Sequence, residues 1–169
     1  MKSDHRLSSM RHERLVTAGL LALATALPAA ADSVANETYN WSAELVEVDE
    51  PARTVTVQSR LVGDAKIDFD ALEAGERLTL TWSGINIAAG VRRIVAGKAP
   101  ADDRLTLPIE LVSAEHNAQY VRFKVAVPSD DLPRIASLQP GSWITATSPR
   151  RAERFEEAVA DMRPYNDVG

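Results

Sequence analysis

Residues 44–84 can be laid over residues 110–150 at a constant offset of 66, without a gap, to give ten identities in 41 positions. The matches fall on apolar positions (Leu45/Leu111, Val46/Val112, Val55/Val121, Leu72/Leu138), on Glu44/Glu110 and Asp64/Asp130, and on Gly75/Gly141. A chain that repeats apolar and turn positions together builds one supersecondary unit twice, and the two copies must bury their apolar faces in a shared core. Shared β-rich composition is the competing explanation. Identities at both kinds of position with no gap favour a duplicated unit.

Each unit reads as strands. Residues 53–60 and 120–127 alternate β-branched or aromatic residues with polar ones at period two, which is the mark of a half-buried strand. Ala43, Leu45, Val46 and Val48 in one unit, and residues 109–114 in the other, supply the preceding strand. The turns between them are Asp49-Glu50-Pro51-Ala52 and Glu115-His116-Asn117-Ala118. Proline presets φ in the first, and its acidic residues can accept from nearby backbone amides. A short connector follows, carrying Phe69 with Leu72 or Ile135 with Leu138. Asp131-Leu132-Pro133 predicts a helix start with an acidic cap and an early proline. Gly75 or Gly141 then allows the chain to reverse into a third strand, residues 77–82 or 143–147. A fourth strand is expected at residues 90–95 and at residues 158–163. In the latter region Ala152, Phe155, Val159 and Met162 equally fit one face of a helix begun at Ser148-Pro149. The fold class is therefore all-β, a small barrel or sandwich with pseudo-twofold symmetry, built from a duplicated three- to four-strand unit with a possible short C-terminal helix.

Residues 48–57, Val-Asp-Glu-Pro-Ala-Arg-Thr-Val-Thr-Val, followed by Leu72-Glu73-Ala74-Gly75-Glu76-Arg77-Leu78, resemble the hairpin and the Leu-x-x-Gly-Asp-x-Val pattern of small exported OB-like barrels. Periplasmic copper-binding domains of copper and silver efflux systems are among these. The resemblance covers about a quarter of the chain and implies a fold more than a function. Those copper binders use methionine, histidine and tryptophan on facing strands. Past residue 31 this chain has one histidine, His116, one methionine, Met162, and no cysteine. That ligand set does not carry over, and soft-metal binding is disfavoured.

The N-terminus predicts export. Lys2, Arg6, Arg11, His12 and Arg14 precede an apolar run over residues 15–27, of a length within the roughly 7–15 residues of a signal-peptide core and short of the roughly 20 that span a bilayer. Pro28 breaks the run, and Ala29-Ala30-Ala31 presents small residues for cleavage after Ala31. Residues 1–31 are thus expected to be a signal peptide, and residues 32–169 a single β domain containing the repeat. An uncleaved anchor is the competing reading. The leader carries four basic and two acidic residues, so residues 32–169 keep 19 − 4 = 15 basic and 24 − 2 = 22 acidic side chains, a formal charge of −7. Such a surface repels nucleic acid and anionic lipid. With no cysteine, core packing rather than disulfides must hold an exported chain together. A periplasmic location is expected, with no stable membrane span after cleavage.

No constellation specifies a chemistry. His116 is the one base available to a serine nucleophile, and it lies in a hairpin turn. The carboxylate pairs Asp49-Glu50, Asp102-Asp103 and Asp130-Asp131 offer acid/base or hard-cation chemistry in principle, but all lie in turns, where acids serve the backbone. Gly84, Gly90 and Gly97 are too widely spaced for a phosphate loop, and no cofactor is implied. The remaining candidate is a binding patch of Trp41, Trp82, Arg92, Arg93, Trp143, Arg150 and Arg151, in which arginine beside tryptophan on one rim would hold an anionic or carbonyl-bearing ligand or a protein partner. In the competing reading the tryptophans fill the core and the arginines pair with acids. The expected function is a non-catalytic exported binding or accessory module whose partner is an envelope protein or a small ligand. The alternative is a periplasmic metal-handling protein of the copper-binding barrel type with an atypical carboxylate-rich site.

Overall fold

A computed structural model describes residues 37–84, 89–115 and 117–165; the expected leader, its cleavage site and His116 lie outside them. Eight strands follow in chain order: β1 (Thr38–Asp49), β2 (Thr54–Lys66), β3 (Arg77–Ser83), β4 (Gly90–Val95), β5 (Thr106–Glu115), β6 (Tyr120–Ala126), β7 (Trp143–Pro149) and β8 (Asp161–Pro164). The protein is an all-β barrel with added strands. The sheet runs β4-β3-β5-β6-β2-β1-β7-β8, and a parallel pairing of β2 with β4 closes five of these strands into a barrel. Because β2 is 13 residues long, its first half pairs with β1 and its second half with β4.

Over the hairpins and third strands, the two halves of the described chain match at the offset of 66. β3 and β7 share their bounds at that offset, and each hairpin leaves its turn through a residue at φ 53°, Arg53 in one and Gln119 in the other. The first turn is held by the Glu50 carbonyl, which accepts from the Arg53 amide at 3.1 Å, and by the Asp49 carboxylate, which accepts from the Ala52 amide at 3.0 Å. Both first strands shift register at the same place, between Leu45 and Glu47 and between Leu111 and Ser113.

The halves are interleaved rather than side by side. β3 of the first half pairs with β5 of the second, and β7 of the second pairs with β1 of the first. The Gly75 amide donates to the Leu111 carbonyl at 2.8 Å, and the Gly141 amide to the Leu45 carbonyl at 2.8 Å. These glycines stand at φ 85° and 89°, where a β-carbon is strained, so the reversal into each third strand requires them. Under exchange of the halves the β2–β6 ladder maps onto itself about Val57 opposite Phe123. Phe123 is fully buried on that axis and meets Trp41 at 6.0 Å, and Trp41 meets Trp82 at 5.5 Å.

The correspondence is interrupted just beyond the β2–β6 ladder and resumes at Gly75 and Gly141. Leu61 and Val127 still make equivalent amide bonds, to the carbonyls of Gln119 and Arg53. The first half then continues as strand into the closure with β4. The second half meets Pro128, which has no N–H to donate, and turns into the helix α1 (Leu132–Ala136) where the first half has only the 3-10 turn Phe69–Ala71. Asp131 does not cap α1 with its side chain. Its carboxylate accepts instead from the Met162 amide at 2.8 Å, while Arg134 donates to the Met162 carbonyl at 2.6 Å. The free edge of β8 is thus met by two side chains rather than by another strand.

Of the two readings of the C-terminal segment, the strand over residues 158–163 is the nearer one, and the helix over Ala152, Phe155, Val159 and Met162 is not formed. Residues Phe155–Glu157 make a 3-10 turn, and the chain then enters β8. Met162 is drawn into the sheet opposite Ala146 and is fully buried, which satisfies its backbone against β7 as well as its side chain.

Candidate functional site

Alternation along the strands decides which side chains reach solvent. On β7, Ile144 and Ala146 are buried, so Trp143, Thr145 and Thr147 point outward; on β1, Trp41, Ala43 and Leu45 are buried, so Asn40, Ser42 and Glu44 point outward. The β1–β7 register sets these opposite one another as Asn40↔Thr147, Ser42↔Thr145 and Glu44↔Trp143. The first two pairs are closed by hydrogen bonds, from the Thr147 hydroxyl to Asn40 at 2.7 Å and between the Ser42 and Thr145 hydroxyls at 3.1 Å. The third is open: Trp143 is 54 % exposed, and the Glu44 carboxylate has no hydrogen-bond or ion-pair partner among the described residues. Tyr165, 57 % exposed just after β8, meets Trp143 edge-on at 6.4 Å, and its amide donates to the Trp143 carbonyl at 3.0 Å.

This ladder lines a solvent-open groove of about 1730 Å³ whose walls include Trp143, Tyr165 and Glu44 as well as Tyr39, Arg104 and Arg150. Ordinary small-molecule pockets measure roughly 300–1,000 Å³. The groove has room for an extended chain. In its wall the Tyr39 hydroxyl is buried without a partner, and burial pushes its ionisation well above the usual tyrosine range. It is therefore a neutral donor at any physiological pH rather than a base. Among the described residues there is neither histidine nor cysteine, and no group of three or more Asp or Glu side chains converges to hold a metal ion. The groove offers hydrogen bonds, charge and aromatic faces.

The candidate patch read from the sequence is dispersed. Trp41 and Trp82 come together, but inside the core at 2 % and 3 % exposure. The Trp41 indole donates to the buried Ser148 hydroxyl at 2.8 Å. Arg92 pairs with Asp64 at 3.5 Å, and Arg93 with the buried Asp103 at 3.0 Å, a carboxylate that also accepts from the Thr81 hydroxyl at 2.9 Å. Arg150 pairs with Glu37 at 2.8 Å, and Arg151 reaches the Ala101 carbonyl at 3.4 Å. Of the seven residues, the groove gathers Trp41, Trp143 and Arg150, and only Trp143 shows most of its side chain. One member of each carboxylate pair has structural work: Asp49 in its turn, Asp103 under Arg93, and Asp131 at the β8 edge.

Glu44, Gln58 and Tyr165 were not singled out by the sequence reading. The signal for the first two lies in the repeat alignment, where Glu44 and Glu110 match while their cross-strand neighbours differ. Trp143 and Gln58 flank Glu44 at the positions where Arg77 and Lys124 flank Glu110. Tyr165 lies beyond the aligned segments, and nothing in the sequence marks it. Comparison of the chain with protein-family models, with curated proteins and with solved structures found no match.

Proposed function

We propose that this protein is a non-catalytic binding or accessory module working outside the cytoplasm, and that its ligand surface is the groove along β1 and β7. The observation that carries the reading is the Trp143–Tyr165 pair. Both rings are more than half exposed in a chain with only nine aromatic residues; they pack against each other, and Trp143 stands opposite a carboxylate, Glu44, that is unpaired among the described residues, in a hollow of about 1730 Å³. Tryptophan and tyrosine are among the residues most enriched at the centre of binding surfaces, and here the two stand side by side in solvent. The matched hairpins, bulges and reversing glycines of the halves support descent from a duplicated unit. The leader-like N-terminus supports export to the periplasm, with cleavage after Ala31. Among the described residues no helix is long and apolar enough to cross a membrane.

The test compares the wild-type protein with a Trp143→Ala/Tyr165→Ala double variant, each purified from the cell envelope without chelators and examined by native mass spectrometry after mild cross-linking. The expected result is a partner or ligand mass present with the wild type and lost with the variant, on a chain beginning at Asp32. An identical set of adducts on both proteins rules out the groove as the ligand surface, and a stoichiometric metal mass favours the metal-handling alternative.

A further inference from the structure

The pseudo-twofold correspondence supplies an internal control for the groove, because the equivalent outward row in the other half is complete. There the order across β3, β5 and β6 is Arg77, Glu110, Lys124. Glu110 is paired on both sides, with Arg77 at 3.2 Å and Lys124 at 3.5 Å, and the Arg77 guanidinium lies 3.6 Å from the centre of the Phe155 ring. One cation is held at once by a carboxylate and an aromatic face. At the groove the same backbone positions read Trp143, Glu44, Gln58. The carboxylate is kept, both flanking cations are gone, and Trp143, with the Tyr165 ring packed against it, stands at the position of Arg77. The nearest fixed positive charge in that row, Arg122, is one strand further on, where it donates to Gln58 at 2.8 Å and lies 5.2 Å from the Tyr120 ring.

We infer that the Glu44–Trp143–Tyr165 end of the groove takes a cationic side chain, arginine or lysine, presented by an extended segment of a partner protein. This rests on the reading of the groove as the ligand surface and gives that ligand its chemistry. A cation seated there would pair with Glu44 and lie against the Trp143 and Tyr165 rings, an arrangement that the chain itself realises with Arg77, Glu110 and Phe155. The rest of the segment would lie along β1 and β7 toward Asn40 and Ser42. A groove of about 1730 Å³ is oversized for a free amine of a few atoms, whereas a peptide of several residues fills it.

The probe is the peptide acetyl-Gly-Arg-Gly-Arg-Gly-amide, titrated into the uniformly ¹⁵N-labelled protein while the three tryptophan indole N–H resonances are followed. Its control is the same peptide with citrulline in place of arginine, which keeps the shape and removes the charge. The expected result is movement of the Trp143 indole with those of Trp41 and Trp82 unchanged. Binding should weaken at least about five-fold for the citrulline peptide, for Glu44→Gln and for Trp143→Ala, as loss of one charge-assisted contact implies, and it should weaken as salt is raised. If the citrulline peptide binds equally well, or Glu44→Gln changes nothing, the cation inference fails while the groove remains a ligand surface. If the arginine peptide leaves Trp143 unmoved and a neutral oligosaccharide such as cellohexaose moves it, the inference fails and the surface takes sugar. If no probe moves it, the inference fails, and the cross-linking comparison decides the groove separately.

Discussion

Two rows of side chains on the outside of this sheet share a backbone and differ in what they finish. Arg77, Glu110 and Lys124 form a closed charge row with Phe155 against Arg77, beside a hollow of about 540 Å³. Trp143, Glu44 and Gln58 occupy the same register and leave a carboxylate unpaired among the described residues opposite the exposed Trp143 ring, lining a groove more than three times larger. The strand ladders, bulges and reversing glycines are common to both. The two rows are thus matched in register and differ in content, with tryptophan and glutamine at one where arginine and lysine stand at the other. Cross-strand neighbours tune a sheet face without disturbing its register.

The comparison can be broken hardest at its centre. Phe123→Ala empties a fully buried site on the pseudo-axis, so it should cost about 3–5 kcal/mol by urea denaturation and loosen both halves together. Amide exchange that accelerated in one half only would show that the axis does not couple them. Next comes closure, which only the first half achieves. At Gly90 an added β-carbon would stand 2.7 Å from the Arg60 carbonyl oxygen and 3.0 Å from Val62, so Gly90→Ala should cost about 1–3 kcal/mol and expose the β2–β4 pairing first. The open half has its own latch: Asp131→Ala removes the acceptor of the Met162 amide. It should cost about 1.5 kcal/mol and speed exchange at Met162 while leaving β4 protected. The smallest effects sharpen the two rows. Glu110→Gln should destabilise by about 0.2–1 kcal/mol, the range of partly exposed ion pairs, whereas Glu44→Gln should leave stability unchanged. Equal losses at the two positions would mean that Glu44 is paired after all.

Much of this architecture could be read before any coordinates. The alternation over Thr54–Arg60 and Tyr120–Val127, the Asp49 turn and the glycines at 75 and 141 are local signals, and each corresponds to a strand, turn or reversal in the structure. What could not be read is non-local. Nothing near Leu61 announces that β2 will leave β1 and pair in parallel with β4, and nothing near Asp131 announces that its carboxylate serves a strand 31 residues away. The C-terminal segment was ambiguous because Ala152, Phe155, Val159 and Met162 satisfy a helical period, while the exposed edge of β7 offered backbone bonds that only a strand can accept. The tryptophans show the other kind of loss. Grouping Trp41, Trp82 and Trp143 by residue type hid their phase: Trp82 is in step with buried Leu78 and Leu80, and Trp143 is out of step with buried Ile144 and Ala146. Counting by twos along each strand separates the buried rings from the exposed one.

The exchange of third strands between the halves has a consequence for assembly order. Strand β1 needs β7, which is synthesised about a hundred residues later, and β3 needs β5 from the other half, so a chain arrested after the first 84 residues has hydrogen-bonding edges and apolar faces with no partner of its own. Two such fragments could supply each other, each lending its third strand to its neighbour around a common axis, as closed twofold assemblies do.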